Sequence, residues 1–232
     1  IKKIKNNLII INYMKDLQIY LIHYTPLKKR KEFQKKQLNS LNLQNVIFIE
    51  KYDKQELSND DLIKFDQNIL KLGIISLFKK QIYAMEMIKY SNFEFNLILE
   101  DDAILKKNFT KLLKKAISQL PNDYDMLFID EGPKLHMKSS DIKSKKVVYK
   151  KCRYPTEWGG NGGTRGTGGI LISKKCSEKI CDYFKEQNNN EINLPLDWWL
   201  NVAIRDLKLN IYWMEPTIVI QGSVTGKFKS SY

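Results

Sequence analysis

Leu97-Ile98-Leu99-Glu100-Asp101-Asp102 is a run of apolar, strand-forming residues that ends abruptly in three consecutive carboxylates. Three adjacent acids repel one another, so such a cluster is costly unless a cation or hydrogen-bond donors compensate it. In an open α/β sheet, ligand sites lie in the crevice beyond the carboxyl ends of the strands. A strand that delivers carboxylates there suits a hard divalent ion such as Mg²⁺, Mn²⁺ or Ca²⁺. In the alternative interpretation, these acids only solvate a strand end and begin a turn.

The spacing of the three acids predicts which of them act together. The two-residue period of a strand places Glu100 and Asp102 on one face and Asp101 on the other. A second apolar run, from Asp125 to Asp130, also ends in acids. Two strands with this ending weaken the solvation interpretation, although Asp130 could equally cap a loop.

The first third of the chain predicts a β-α-β unit. Leu17 to Tyr24 has the composition of a strand, Lys28 to Leu43 that of an amphipathic helix, and Val46 to Glu50 that of a second strand. Such a unit argues for a parallel sheet with right-handed crossovers. With 232 residues in the chain, we expect one α/β domain over residues 17–232, preceded by an N-terminal extension over residues 1–16.

The remaining elements follow from apolar periodicity and from turn residues. Ser58 and Asp61 have the spacing of a capping box, which explains Asp60 and Asp61 as helix-start acids. Further helices are predicted over Gly73 to Tyr90, Asn108 to Leu120 and Lys174 to Phe184. Further strands are predicted over Val147 to Tyr149, Ile170 to Ser173, Leu209 to Trp213 and Thr217 to Ile220, the last two closing the sheet.

Composition places the chain among ordinary globular proteins, with 43% hydrophobic and 28% charged residues. The net charge of +13 comes from lysines spread along the chain, and this basic field favours an anionic ligand. The three cysteines imply no disulfide framework, so we expect a reducing, cytoplasmic compartment. No stretch approaches the roughly 20 apolar residues of a membrane span.

Three further features are candidates for function, each with a structural alternative. The stretch from Trp158 to Gly169 holds many glycines, which allow close approach to a ligand, and Arg165 within it is available for an anionic group; otherwise it is a surface loop. Asp197 opens the last predicted helix, where an acid also complements the helix dipole. His23 ends the first strand, where a nucleotide base could lie, although a lone histidine on an apolar strand is more often structural.

Several stretches taken together resemble glycosyltransferase family 25, which includes lipooligosaccharide and procollagen galactosyltransferases. The resemblance runs from about Ile19 to Tyr232, and the Lys/Asn bias is also similar to that of family members from giant viruses. The stretches that carry it are the opening strand with its basic helix, Leu97 to Asp102, Gly166 to Ser173 (Gly-Thr-Gly-Gly-Ile-Leu-Ile-Ser), Leu194 to Asp197 (Leu-Pro-Leu-Asp), and Glu215 to Ser223.

The resemblance implies a GT-A fold, that is, a Rossmann-like, mostly parallel sheet with flanking helices in a single domain. It also implies transfer of a sugar, with inversion, from a UDP-sugar to a hydroxyl of a glycan, lipid-linked saccharide or protein. Asp102 is then the best ligand for Mn²⁺ or Mg²⁺, with Glu100 supporting the ion or the donor ribose, and Asp197 is the base. The residues implied near the nucleotide are His23, Thr25, Arg30, Ser76, Gln81, Glu100 and Asp101.

The sequence departs from the family pattern at three points. His23-Tyr24 replaces an asparagine of the first loop, and Gln81 stands where many members have a histidine. No histidine follows His136, so Gln221, Ser223 or water must supply any further metal ligand.

Two other functions remain open from the residues alone: a metal-dependent nuclease or phosphoesterase, and a non-catalytic nucleic-acid-binding module. We expect partners to be a nucleotide-sugar and an acceptor, without nucleic acid.

Overall fold

A computed structural model of the protein describes residues 15–132, 134–151 and 162–229. Its strands are β1 (Leu17–Ile22), β2 (Val46–Ile49), β3 (Phe95–Glu100), β4 (Ala103–Leu105), β5 (Met126–Phe128), β6 (Val148–Lys150), β7 (Gly169–Ile172), β8 (Ile211–Met214) and β9 (Val219–Gln221). Its α-helices are α1 (Lys28–Ser40), α2 (Asn59–Leu62), α3 (Leu72–Lys89), α4 (Phe109–Ile117), α5 (Lys174–Glu186) and α6 (Leu196–Asp206), and a 3₁₀ turn covers Ser139–Asp141.

Seven of these strands form one mixed sheet in the order β2-β1-β3-β7-β5-β8-β6. β2, β1, β3, β5 and β8 run in one direction, while β7 and β6 run against their neighbours. β4 and β9 pair separately as a two-stranded antiparallel ribbon. β4 follows β3 along the chain, and β9 follows β8. The ribbon therefore places the residues after β8 beside the carboxyl end of β3.

The core lies on both faces of the sheet because buried strands send alternate side chains to opposite sides. In β1, Ile19 and Leu21 belong to the apolar cluster that includes Leu38 of α1 and residues of α4. Tyr20 and Ile22 belong to the cluster formed with α3, α5 and α6. The result is a three-layer α/β domain, which confirms the fold class predicted from the sequence.

Two features of strand pairing differ from what the sequence predicted. Thr217 to Ile220 does not close the main sheet, because β9 pairs with β4. β7 is inserted antiparallel between β3 and β5. Pairing partners distant in sequence decide both, and local periodicity carries no information about them.

The capping box of Ser58 and Asp61 is present as predicted, with each side chain bonded to the other residue's backbone N–H. Within the described part of the chain, no helix has the length and apolar character needed to cross a bilayer. The predicted N-terminal extension and residues 158–161 of the glycine-rich stretch lie, wholly or largely, outside the described residues.

Candidate functional site

The carboxyl ends of β1 and β3 form one wall of a cleft with about 560 Å³ of open space. The two strands are parallel neighbours, and their register places Ile22 beside Glu100. The first half of α3 forms the opposite wall, and the end of β9 closes one side. All three acids of the triplet line this cleft.

Asp102 is buried, with 3% of its surface exposed, yet only one of its carboxylate oxygens has a hydrogen-bond donor. The backbone N–H of Ser223 donates to Oδ2 at 2.9 Å. Oδ1 is inaccessible and has no partner among the described residues. Because a buried anionic oxygen without a donor is costly, this atom fits a metal ligand. The described ranges contain no group of three or more His, Cys, Asp or Glu side chains arranged as a metal site.

Glu100 lies beside Asp102 and is also buried. Its Oε1 accepts a hydrogen bond from the Thr167 hydroxyl at 2.5 Å, and its Oε2 lies 3.5 Å from Nε2 of Gln221. Burial, followed by repulsion from Asp102, raises the pKa of Glu100 to about 8. A cation bound beside these two acids would offset the repulsion between them.

Asp101 has a different environment, because its carboxylate faces α1. Nη1 of Arg30 donates to its Oδ1 at 2.7 Å, while Nδ1 of His23 and the N–H of Tyr24 lie 2.8 and 3.2 Å from its Oδ2. The hydrogen bonds from His23 and Arg30 outweigh burial and keep the pKa of Asp101 below its ordinary value. The split of Asp101 from Glu100 and Asp102 follows the predicted alternation. His23 is completely buried behind Asp101.

The other residues expected near a nucleotide occupy different depths. Ser76 lines the cleft, and its hydroxyl donates to the carbonyl of Tyr52 at 2.6 Å. Thr25 donates its backbone N–H, at 3.2 Å, and its hydroxyl to the Asp53 carboxylate. Gln81 is fully buried, with Nε2 3.2 Å from the carbonyl of Thr167 and Oε1 without a partner. Arg30 and Ser76 therefore line the cleft, whereas the buried Gln81 and the half-buried Thr25 do not.

Lys80 is a cleft residue that the sequence analysis missed. Its ammonium group donates to the carbonyls of His23 and Glu50 at 2.9 and 3.0 Å and pairs with Asp53 at 2.7 Å. These three acceptors hold the ends of β1 and β2 to α3. Burial lowers the pKa of Lys80. Only these neighbours in space distinguish it from the many surface lysines of the sequence.

Asp197 lies in the first turn of α6, as predicted, and is half-buried. Its Oδ1 accepts the N–H of Trp198 at 3.1 Å, and burial raises its pKa. One turn later, Asn201 bonds to the hydroxyl and the N–H of Thr164 at 2.5 and 3.0 Å. The segment from Thr164 leads to Thr167, which holds Glu100. The α6 turn is thereby linked to the acids, although Asp197 itself is not among the residues that line the cleft.

The role expected of Arg165 is wrong, because its guanidinium is buried and paired. Nε donates to the carbonyl of Leu135 at 2.7 Å, Nη1 to that of Met214 at 2.8 Å, and Nη2 to Glu215 at 2.5 Å. It also lies 4.8 Å from the centre of the Trp213 ring. Arg165 therefore stabilises the fold and has no exposed surface for an anion.

Asp130 ends β5 as an acid without a side-chain partner. It is fully buried, and neither carboxylate oxygen accepts a hydrogen bond from a side chain within the described chain, although the backbone N–H groups of Gly132 and Gly168 lie near it. Burial raises its pKa to about 7. Gly166 and Gly168 approach so closely that an added Cβ at either would lie 3.1 Å from Oδ2. Glycine at these two positions thus makes room for the carboxylate.

Comparison with known proteins matches the chain to one protein family. The model of glycosyltransferase family 25 (LPS biosynthesis protein) matches residues 16–199. No curated protein sequence matches the chain.

Similar solved structures include three transferases. A glycosyltransferase involved in the glycosylation of the major capsid of PBCV-1 is 14% identical, with 89% of this chain and 82% of that chain covered and a TM-score of 0.47. The inositol-1-phosphate CTP transferase from T. maritima is 14% identical, with 91% and 75% covered and a TM-score of 0.40. Mouse xyloside xylosyltransferase 1 is 12% identical, with 83% and 70% covered and a TM-score of 0.37.

Proposed function

Because the chain belongs to glycosyltransferase family 25 and is a glycosyltransferase, we propose that it transfers a sugar from a UDP-sugar, with inversion and with Mn²⁺ or Mg²⁺. The acceptor we propose is a hydroxyl of a glycan, a lipid-linked saccharide or a protein. The observation that carries the proposal is the buried, unpartnered Oδ1 of Asp102 in a cleft at the carboxyl end of the sheet. The cytoplasmic location stays a prediction.

Asp102 and Glu100 are the residues that would hold the metal. Divalent ions in nucleotide sites use one or two carboxylates and complete their coordination with phosphate oxygens and water. Asp102 has an oxygen without a donor, and the carboxyl group of Glu100 lies beside it, so the pair matches that pattern. When bound, the ion supplies charge neutralisation for the diphosphate as it leaves.

The cleft walls support a nucleotide in the same place. Tyr24 offers an aromatic ring at the cleft, and Nζ of Lys54, which also lines it, lies 5.2 Å from the centre of that ring. Arg30 and Ser76 add polar groups along the walls. His23, Thr25 and Gln81 do not line the cleft, so we assign them an indirect effect on the nucleotide, through the residues they hold. Asp101 lines the cleft while fixing Arg30.

Asp197 is the residue we assign as the base. In the proposed step, the acceptor hydroxyl gives its proton to the Asp197 carboxylate while its oxygen bonds to the anomeric carbon and the bond to the UDP oxygen breaks. A carboxylate with a pKa above its ordinary value is better suited to accept a proton near neutral pH. Attack opposite the leaving group inverts the anomeric configuration, as in inverting glycoside hydrolysis.

The test measures UDP release from a set of UDP-sugars, with and without Mn²⁺, after thermal-shift screening for the donor. Asp102→Asn should lower Mn²⁺-dependent release at least about 100-fold, because a bound metal contributes several kcal/mol to the transition state. The matched control is Asp125→Asn, which changes a similarly buried aspartate. Asp125 immediately precedes β5, at the end of the sheet that lies away from the cleft. Unchanged release in Asp102→Asn would refute the proposed ligand.

The identity of the product separates this function from the phosphoesterase alternative. A glycosyltransferase cleaves the bond between the sugar carbon and the diphosphate and releases UDP. A phosphoesterase acting on the same donor cleaves the diphosphate and releases UMP. Chromatography of the nucleotide products therefore decides between the two, and UMP as the main product would contradict the proposal.

A further inference from the structure

Residues 222–229 form a C-terminal strap that runs from the end of β9 across the cleft edge to α1. We propose that Phe228 is a positioning residue, which anchors this strap on α1 and so holds Asp102 in the orientation that binds metal. This inference rests on the proposed metal site. It adds a residue 126 positions away in sequence that does not touch the ion.

The strap contacts Asp102 twice. The N–H of Gly222 donates to the Asp102 carbonyl at 2.9 Å, and the N–H of Ser223 donates to its Oδ2 at the same distance. The second bond uses one carboxylate oxygen and leaves Oδ1 unpartnered. Because groups that hydrogen-bond a ligating carboxylate fix its orientation, the strap performs that role for Asp102.

The strap is fixed at its other end by Phe228. Its ring lies 5.4 Å from the ring of Phe33 at an angle of 70°, an edge-to-face pair, and 5.3 Å from Cζ of Arg30. Its N–H donates to the carbonyl of Gly222 at 3.1 Å, which closes the strap into a loop. Nη2 of Arg30 donates to the carbonyl of Lys229. The anchor thus joins α1 to the residue that precedes Ser223.

The middle of the strap is exposed, although Nζ of Lys227 lies 4.1 Å from the centre of the Phe33 ring. Residues 224–227 are exposed, and Val224 has 54% of its surface accessible. Space around Gly222 is tight, because an added Cβ would lie 2.5 Å from the Phe228 ring and 2.7 Å from the Asp102 carbonyl. Phe228 therefore packs directly over the point where the strap bonds Asp102. An ordinary surface tail has no such coupling between its anchor and a buried carboxylate.

The experiment compares the wild-type protein with Phe228→Ala, Phe228→Tyr and Tyr90→Ala. Hydrogen exchange of the amides of residues 222–228 reports the strap, and calorimetric titration with Mn²⁺ alone reports the metal site. In Phe228→Ala, exchange should be about tenfold faster, the size expected for losing one aromatic pair and the cation–π contact with Arg30. Its Mn²⁺ affinity should fall about tenfold, as for other losses of groups that orient a ligand.

The controls separate an anchor from general packing. Phe228→Tyr keeps the ring and should restore both values, and Tyr90→Ala, which removes an aromatic ring with 81% exposure, should change neither. Wild-type Mn²⁺ affinity in Phe228→Ala would overturn this inference while leaving the metal site intact. Wild-type protein that binds no Mn²⁺ would overturn the proposed metal site, and this inference with it.

Discussion

Replacing Asp130 by asparagine should stabilise the protein at neutral and alkaline pH. The carboxylate is fully buried, has no side-chain hydrogen-bond donor among the described residues, and has a pKa raised by burial to about 7. Ionising such a group inside the protein is unfavourable, whereas an asparagine of the same shape carries no charge. The substitution therefore removes a cost that the folded state bears only when Asp130 is ionised.

The magnitude follows from linkage between proton binding and folding. A pKa near 7 in the folded state, against an ordinary 3.8, means that the folded protein binds this proton more tightly than the unfolded chain does. The contribution of Asp130 to stability is therefore greatest below pH 3.8 and declines as the pH rises toward 7. A pKa difference of about 3 corresponds to about 4 kcal/mol at pH 8, when each pH unit is worth about 1.4 kcal/mol.

Guanidinium unfolding of both proteins at pH 4, 6 and 8 measures this difference, provided that the denaturant slopes agree. Asp130→Asn should match the wild-type free energy of unfolding at pH 4 and exceed it by about 4 kcal/mol at pH 8. Glu131→Gln removes one negative charge from the next residue and is the matched control. A stability difference that stays constant between pH 4 and pH 8 would refute this account of Asp130.

Three other substitutions test separate parts of the structure. Asp101→Asn should destabilise the protein by about 3–5 kcal/mol at pH 7, because Arg30 is left buried without its partner. Denaturant unfolding measures this loss. The loss should shrink as the pH falls below 3.8, because the lowered pKa of Asp101 stabilises the folded protein only while the carboxylate is ionised. Gly132→Ala should lower the melting temperature, since φ is +47° and an added Cβ would lie 1.7 Å from the Arg165 carbonyl; an unchanged melting temperature would contradict that geometry. Asp197→Asn should leave UDP affinity unchanged but suppress sugar transfer at least about 100-fold if it is the base; normal transfer would instead support a role limited to the helix dipole.

The sequence was sufficient for the fold class because its signals are local. The β-α-β opening, the apolar face of α3 and the capping box at Ser58 each follow from spacing within one segment. The pairing of β9 with β4 and the antiparallel insertion of β7 depend on contacts across most of the chain. Such contacts depend on how the whole core packs, so periodicity alone does not predict them.

The candidate site likewise contains residues that a local pattern predicts and residues that only contacts distant in sequence identify. The alternation of the triplet predicted that Asp101 would be separated from Glu100 and Asp102, and the structure places its carboxylate against Arg30 and His23. Lys80 was missed, because only its neighbours in space distinguish it from the many surface lysines. Arg165 was misinterpreted for a related reason: its partners come from residues 135, 214 and 215, which no local pattern connects to it.

The most direct test of the central claim is the affinity of UDP measured by calorimetry in the presence and absence of Mn²⁺. If Asp102 holds a cation that in turn holds a diphosphate, wild-type protein should bind UDP at least about tenfold more tightly with Mn²⁺, a coupling of about 1.4 kcal/mol. In Asp102→Asn that gain should disappear while the melting temperature stays close to wild type. Equal UDP affinity with and without Mn²⁺ in the wild-type protein, or a full gain in Asp102→Asn, would contradict the claim.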